Sequence, residues 1–406
     1  MALLLAKGAE LNDWRGLDEF VASYRGDSIK LASAVYPAEI TTALGTIRDR
    51  LGDQCAANRQ LIERVGAIAD TIAAADDQEG LRRVLSAFYQ QAYAHFSQFG
   101  SAPAFFEAAN TFLRCLTSRQ VAGVRQQLPT ELPPLALLVL GPAGRLETTR
   151  FCRIQLALVW DGDGSAGEEQ LMEEFAEELL AWLRTSGVAL EEAVTPLHRF
   201  WRGTLEQWRV RLEDAVEEDD APVLIELLRL TDQAVLVDEQ GIADRFRALC
   251  CEQLHQRPAV ANLVERCSAL SNGLGMMGGL RLHRSGPHRG TFSLLDHALV
   301  PLAACTGALC LFHDIVEDGT PGRLRELVRN GRLDVNLAER ALQAWHLFST
   351  FRLGLEQQAG AGQDCRDILN LNVAALAELE QSQLRSALEV VADLQRHLIV
   401  SFGQQP

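Results

Sequence analysis

The sequence predicts a predominantly helical α+β protein, with a small mixed sheet between an N-terminal helical region and a C-terminal helical bundle. Two observations predict this class. Apolar residues recur at helical spacing before residue 130 and after residue 244, whereas short uninterrupted apolar runs bounded by glycine lie between them. A segment with three prolines, residues 129–134, separates the first two patterns. We therefore predict domains over 1–130, 131–243 and 244–406.

The N-terminal region begins with an amphipathic pattern over Asp13–Tyr24, followed by a long periodic stretch near 38–74. The apolar steps in this stretch fit one heptad frame, in which Gln54 and Asn58 are the polar positions. Some 36 residues would form a helix about 54 Å long. Two interpretations stay open, namely a helix of a bundle or a homodimer seam in which Asn58 sets the register. Two further helices are predicted over Leu81–Phe99 and Phe105–Leu128.

The middle region carries the strand signals. The runs Leu135–Leu140 and Ile154–Trp160 read as buried strands, and Ala234–Val237 reads as a third strand preceded by Asp232. Helices are predicted between them over Glu168–Ser186, Leu205–Val216 and Pro222–Leu230.

The C-terminal region shows helical spacing throughout. The predicted helices are Arg245–Gln256, Ala259–Ser271, Leu294–Ile315, Arg323–Arg329, Leu337–Gln358 and Val373–Phe402. The longest mostly apolar run, Ala298–Phe312, is shorter than the roughly 18–20 residues that span a bilayer, so no membrane segment is expected.

Charge and cysteine usage exclude several classes. The net charge of −16 argues against a general nucleic-acid or anionic-membrane binder, because both need a basic surface. Lys7 and Lys30 are the only lysines, so a P-loop or Schiff-base lysine is excluded after residue 30. Nine irregularly spaced cysteines without a C-x-x-C motif are typical of reduced thiols. No signal peptide is evident at the start of the chain, and we expect a cytoplasmic protein.

A glycine turn after the first predicted strand gives the strongest functional signal. Gly141 and Gly144 would let the backbone approach a phosphate, and Arg145 could pair with that phosphate. Since any tight turn uses glycine, the turn alone is a weak indication.

With its surroundings, this turn resembles a bacterial nucleotidyltransferase family related to protein-PII uridylyltransferase. The family pattern is Gly-Ser-x-Gly-Arg-x-Glu, followed after five residues by Asp-Gln-Asp-Asn-Ala-Leu. The matching residues are Gly141, Gly144, Arg145, Glu147, Ala157 and Leu158. Asp232 aligns with the family's third carboxylate, and Leu205–Arg209 resembles a helix with a tryptophan-arginine pair. The resemblance covers roughly residues 100–402 and implies a nucleotidyltransferase-like domain followed by a helical substrate-binding domain.

Several polar positions of the family pattern are replaced in this chain. The two metal-binding aspartates correspond to Arg153 and Gln155, and the serine corresponds to Pro142, which offers neither a hydroxyl nor an N–H. In the C-terminal domain, the family's Asp-Leu-Lys reads Ser293-Leu294-Leu295, and a later arginine is Gly307. Because Mg²⁺ requires oxygen ligands, Arg153 and Gln155 are interpreted as degenerate metal positions.

A basic loop forms the densest positive cluster of this acidic chain. Its residues are Arg281, His283, Arg284, His288 and Arg289. The loop is either an anion-binding site or a solvated loop.

The leading hypothesis is a catalytically degenerate nucleotidyltransferase homologue in signal transduction that binds a protein partner or a small nucleotide effector. Gly141, Gly144 and Arg145 would then be a vestigial nucleotide site. Under this hypothesis the protein needs no cofactor and binds neither nucleic acid nor a membrane. One alternative is an active enzyme that uses Mg²⁺, a nucleoside triphosphate, Glu147, Asp232 and a relocated acid. Another is a structural homodimer with a vestigial cleft.

Overall fold

A computed structural model describes residues 38–74, 77–218, 221–275, 278–360 and 362–403. The helix expected over Asp13–Tyr24 lies outside these ranges. The described helices are α1 Ala38–Ala74, α2 Gln78–Phe99, α3 Ala102–Gln127, α4 Gly141–Gly144, α5 Ala166–Thr185, α6 Leu205–Glu217, α7 Ala221–Leu227, α8 Ile242–Leu254, α9 Arg257–Ala269, α10 Val300–Phe312, α11 Thr320–Arg329, α12 Val335–Gln358, α13 Cys365–Ile368 and α14 Glu378–Gly403. The described strands are β1 Leu135–Leu140, β2 Gln155–Trp160, β3 Arg202–Thr204, β4 Gln233–Asp238, β5 Phe292–Ser293 and β6 Asn370–Leu371.

The central sheet has four strands in the order β3-β2-β1-β4. Strand β1 is antiparallel to both β2 and β4, and its register places Leu140 opposite Gln155 and Gln233. The carboxyl end of β1 therefore lies beside the amino ends of β2 and β4. This geometry brings the glycine turn, position 155 and Asp232 to one edge of the sheet.

Helices α1, α2 and α3 pack together on the N-terminal side. Side-chain caps fix where two of them begin, because Asp77 accepts from the Gly80 N–H and Ser101 accepts from the Ala104 N–H. Asn58 of α1 is buried, with its Oδ1 2.9 Å from Nε2 of His95 and its Nδ2 3.3 Å from the Ser101 hydroxyl. The polar heptad position is thus hydrogen-bonded within its own chain.

Helix α10 is the centre of the C-terminal bundle and packs against α9, α11 and α14. Among the described residues, one stretch, Leu295–Phe312, is long and apolar enough to cross a membrane on length and composition alone. Because 67% of it is buried inside the structure, it packs as a core helix does.

Helix α12 joins the C-terminal bundle to the rest of the chain. Its buried Glu356 accepts hydrogen bonds from Tyr93 of α2 at 2.8 Å, from Thr149 at 3.0 Å and from Arg352 at 3.0 Å. Burial and the neighbouring Glu356 carboxylate raise the pKa of the Tyr93 hydroxyl, so this hydroxyl stays a donor.

The predicted fold class is confirmed, and so are the strands at Leu135–Leu140, Ile154–Trp160 and Ala234–Val237, to within a residue at either end. Several predicted helices differ from the observed ones by three or more residues at an end, and two of them show the reason. The helix predicted to reach Ile315 ends at Phe312, because Asp314 adopts a left-handed φ of 56°. The helix predicted from Val373 begins at Glu378, because Leu376 is extended. The division into three domains stays a prediction.

Candidate functional site

The glycine turn is built against the backbone of Asp232. Gly141 follows β1 with a left-handed φ of +63°, and its N–H donates to the Asp232 carbonyl at 3.0 Å. A Cβ at Gly144 would lie 2.0 Å from that same carbonyl oxygen, so only glycine fits there. The two glycines therefore have a packing role that is independent of any phosphate. Pro142 lies in the first turn of α4, where its missing N–H leaves no donor for a ligand.

The carboxylate of Asp232 lies between two arginines. Its Oδ2 is 2.6 Å from Nη1 of Arg145, and its Oδ1 is 2.5 Å from Nη1 of Arg323. The three side chains are 19%, 11% and 6% exposed respectively, so water screens these pairs weakly. Burial alone would raise the pKa of Asp232, but the two guanidinium charges outweigh it and the pKa lies below its ordinary value.

Arg323 is fixed by further bonds and is the site residue that the sequence interpretation missed. Its Nη2 donates to the Thr231 carbonyl at 2.5 Å, and its Nε donates to the Glu317 carbonyl at 3.0 Å. A Cβ at Gly307 would lie 3.4 Å from Arg323 Nη1 and 3.9 Å from Asp232 Oδ1. The guanidinium of Arg323 thus lies beside the position where the resemblance implies an arginine. No motif pointed to Arg323, which lies on α11, whereas the resemblance implies an arginine at position 307 on α10.

Glu147, the other predicted catalytic carboxylate, is a buried acceptor at the contact with the C-terminal bundle. Its Oε1 accepts from the Thr320 hydroxyl at 2.8 Å and from Nε1 of Trp345 at 2.9 Å. Its Oε2 is 3.5 Å from Nη2 of Arg145, so Arg145 contacts both predicted carboxylates. Glu147 is 5% exposed, and its oxygens are occupied by bonds that hold α11 and α12 to the turn.

The two positions that the resemblance aligns with metal-binding aspartates present a cation and an amide. Arg153 is partly exposed and its Nη2 lies 2.5 Å from Oδ2 of Asp364, just before α13. Gln155 begins β2 beside the turn, where a Cβ on Gly141 would lie 2.9 Å from its Oε1. That oxygen accepts from Nη1 of Arg229 at 3.5 Å.

These residues do not fit the Mg²⁺ ions that the family resemblance implies. Mg²⁺ needs several unshared oxygen ligands in octahedral geometry, whereas Asp232 shares both oxygens with guanidinium groups. Within the described ranges, no group of three or more His, Cys, Asp or Glu side chains is placed to hold a metal ion.

A small cavity remains beside Asp232. Its volume is about 200 Å³, and its polar walls are Arg229, Thr231, Asp232 and Arg266, with apolar side chains of α9 and α10 opposite. This volume is below the roughly 300–1,000 Å³ that is usual for small-molecule sites.

The basic loop lies apart from this cavity, whose lining includes none of its residues. Arg281 donates to the Ser271 hydroxyl at 3.0 Å, and Nε2 of His288 is 3.0 Å from Oδ1 of Asp367. The rings of His283 and His288 have centroids 6.1 Å apart, and Arg284 and Arg289 are exposed. The loop's assignment as an anion site stays a prediction.

Comparison with known families agrees with this architecture. Residues 86–221 match the family model described as "Putative nucleotidyltransferase DUF294". Residues 257–402 match the model described as "Putative nucleotidyltransferase substrate binding domain". No curated protein matches the chain. The two matches follow each other along the chain in the same order as the central sheet and the C-terminal bundle. The chain therefore belongs to this putative nucleotidyltransferase family with its C-terminal substrate binding domain.

Proposed function

We propose that this chain is a catalytically silent nucleotidyltransferase homologue that acts as a regulatory protein of the cytoplasm and binds a protein partner or a small effector. The observation that carries the proposal is the position of Asp232 between Arg145 and Arg323. A carboxylate that is shared by two buried guanidinium groups is a poor metal ligand, because metal binding would leave both cations without their counter-charge.

The surroundings of Asp232 support the same conclusion. Nucleotidyl transfer with two metals depends on carboxylates that bridge the ions and on cations that face the phosphates. Here Arg153 and Gln155 stand at the metal-binding positions, and Arg229 lies against Gln155. A metal ion at this sheet edge would lie beside positively charged side chains. These polar residues therefore favour a protein that binds a ligand without transferring a nucleotide.

The alternative of an active enzyme requires a rearranged site. Asp232 would have to leave both arginines, and Glu147 would have to give up the bonds from Thr320 and Trp345. That alternative predicts that Asp232→Asn abolishes an activity that depends on Mg²⁺.

Mass spectrometry of reaction products tests the proposal. The full chain would be incubated with ATP, UTP or CTP and Mg²⁺, together with lysate proteins as acceptors. We expect no nucleotidylated protein beyond the amount formed with the Asp232→Asn variant. Nucleotidylation that depends on both Mg²⁺ and Asp232 would contradict the proposal.

A further inference from the structure

A second and larger cavity lies on the other face of the sheet from Gln155. Its volume is about 710 Å³, within the roughly 300–1,000 Å³ range of small-molecule sites. Val139 forms part of its wall, and neighbouring strand residues point to opposite faces. Since Leu140 pairs with Gln155, Val139 points away from the face that carries Gln155. The cavity shares no lining residue with the small one beside Asp232 and is separate from it.

The walls come from distant parts of the chain, as in a preformed ligand site. Helix α3, strand β4, the segment 317–325 and helix α12 each contribute residues. Two aromatic side chains, Phe106 of α3 and Trp345 of α12, form an apolar corner with ring centroids 5.9 Å apart. This corner suits a flat apolar group.

Two buried donors in the wall have no partner. The hydroxyl of Thr148, a residue that is 1% exposed, has no hydrogen-bond partner in the described part of the chain, and neither does Nε of Arg145. Buried polar groups in native proteins nearly always have a partner. An arginine nitrogen only donates, and a threonine hydroxyl can donate, so a ligand that satisfies both presents an acceptor.

Two more arginines of the wall are available to an anion. Arg114 comes from α3 and Arg325 from α11. Over the described ranges, neither side chain makes a hydrogen bond or an ion pair. The wall also holds three acidic residues, Glu107, Glu317 and Asp318, which would repel a ligand with several negative charges. The charge pattern favours a single anionic group over a polyanion such as a triphosphate.

The backbone of the same wall is strained. Leu146 adopts a left-handed φ of 63°, which is uncommon for a branched side chain. Nδ2 of Asn110 holds this conformation by donating to the Leu146 carbonyl at 2.7 Å. Strained residues cluster at binding and catalytic sites.

We propose that this cavity binds a small organic anion that combines one negatively charged group with an apolar ring. The charged group lies near Thr148, Arg114 and Arg325, and the ring lies against Phe106 and Trp345. Arg145 reaches both this cavity and Asp232, so the ligand acts on Asp232 through one side chain. The inference does not depend on whether the Asp232 site is silent.

A pair of fluorescent probes tests the proposal on the full chain. 1-Anilinonaphthalene-8-sulfonate has the proposed chemistry, and N-phenyl-1-naphthylamine lacks its sulfonate. We expect one sulfonate probe to bind per chain. The Arg114→Glu/Arg325→Glu variant should lower the affinity for this probe by about tenfold or more. The matched control, Arg83→Glu/Arg385→Glu, carries the same charge change at exposed positions of α2 and α14 outside the cavity wall and should leave the affinity unchanged.

Three results would overturn the proposal: no binding of the sulfonate probe, an equal loss in both double variants, or equal affinity for the uncharged probe. Thr148→Val supplies a second variant that keeps the side-chain shape. It should weaken the sulfonate probe while leaving the melting temperature unchanged or higher, and unchanged affinity would also count against the site. Nucleotidylation measured in parallel reports on the proposed function alone.

Discussion

Arg323 donates a hydrogen bond to Asp232 across 2.5 Å, and its guanidinium lies in space that the glycine at position 307 leaves open. The arginine that the family resemblance implies on α10 is absent, and a positive charge reaches the same carboxylate from α11. Both oxygens of the Asp232 carboxylate are therefore paired with guanidinium groups.

Substitutions at Gly307 should separate the effect of helix propensity on stability from the effect of packing against Arg323. A Cβ there makes ordinary contacts at 3.4 Å and 3.9 Å, so Gly307→Ala should raise the free energy of unfolding by up to about 1 kcal/mol. Gly307→Arg should lower it by about 1–3 kcal/mol, because the larger side chain displaces Arg323. Urea denaturation measures both. Gly354→Ala in α12, where nothing lies within 4 Å, is the matched control for propensity. A Gly307→Arg variant as stable as the wild type would refute the packing argument.

Asp232→Asn should destabilise the protein by about 3–5 kcal/mol at neutral pH, because it leaves two buried guanidinium groups without a counter-charge. Asp161→Asn is the control. It breaks an ion pair with Arg245 in which both side chains are nearly half exposed, and it should cost about 0–1 kcal/mol. Equal costs in the two variants would show that the Asp232 pairs are screened like surface pairs.

The cost of Asp232→Asn should depend on pH in a defined direction. The pKa of Asp232 is lowered in the folded protein, so its contribution to stability is complete above the unfolded-state pKa of about 3.9. That contribution is lost as the pH falls through the lower folded-state pKa. The difference in unfolding free energy between wild type and variant should therefore shrink below about pH 4. A difference that stays constant down to the acid transition would contradict this.

Asn58→Ala should lower stability by about 1–3 kcal/mol, since it removes the partner of buried groups on His95 and Ser101. Light scattering should give the same molar mass for variant and wild type, because these bonds lie within one chain. Glu63→Ala, at an exposed position farther along α1, should change neither property. A change in oligomeric state with little loss of stability would favour the dimer-seam interpretation.

Restoring the two aspartates tests the assignment of positions 153 and 155. Arg153→Asp/Gln155→Asp should bind Mn²⁺ at least about tenfold more tightly than the wild type, because affinity follows the number of charged oxygen ligands. Electron paramagnetic resonance of free Mn²⁺ gives the affinity. Gln170→Asp/Arg184→Asp on the exposed face of α5 makes the same charge change and should not bind more tightly. Equal affinity in both variants would argue against a former metal site at this sheet edge.

The local pattern of the sequence was enough to predict the strands and most helices. Apolar runs ended by glycine marked β1 and β2, and their register brought Gly141, Gln155 and Asp232 together as the family resemblance implies. The short strands β3, β5 and β6 were not predicted, because two or three residues carry no periodicity.

The chemistry at Asp232 could not be predicted, because it depends on a contact between segments far apart in the chain. Arg323 lies 91 positions from Asp232 and follows an ordinary helical pattern. The polar heptad residue Asn58 left two interpretations open for the same reason. Its partners His95 and Ser101 are identified only by the packing of α1 on α2 and α3.

Calorimetric titration of ATP, UTP and CTP into the full chain, with and without Mg²⁺, tests the central claim most directly. If Asp232 is held by Arg145 and Arg323, Mg²⁺ should leave every nucleotide affinity unchanged, and Asp232→Asn should behave like the wild type in this respect. Nucleotide binding that Mg²⁺ strengthens by about tenfold or more, and that loses this dependence in Asp232→Asn, would contradict the account.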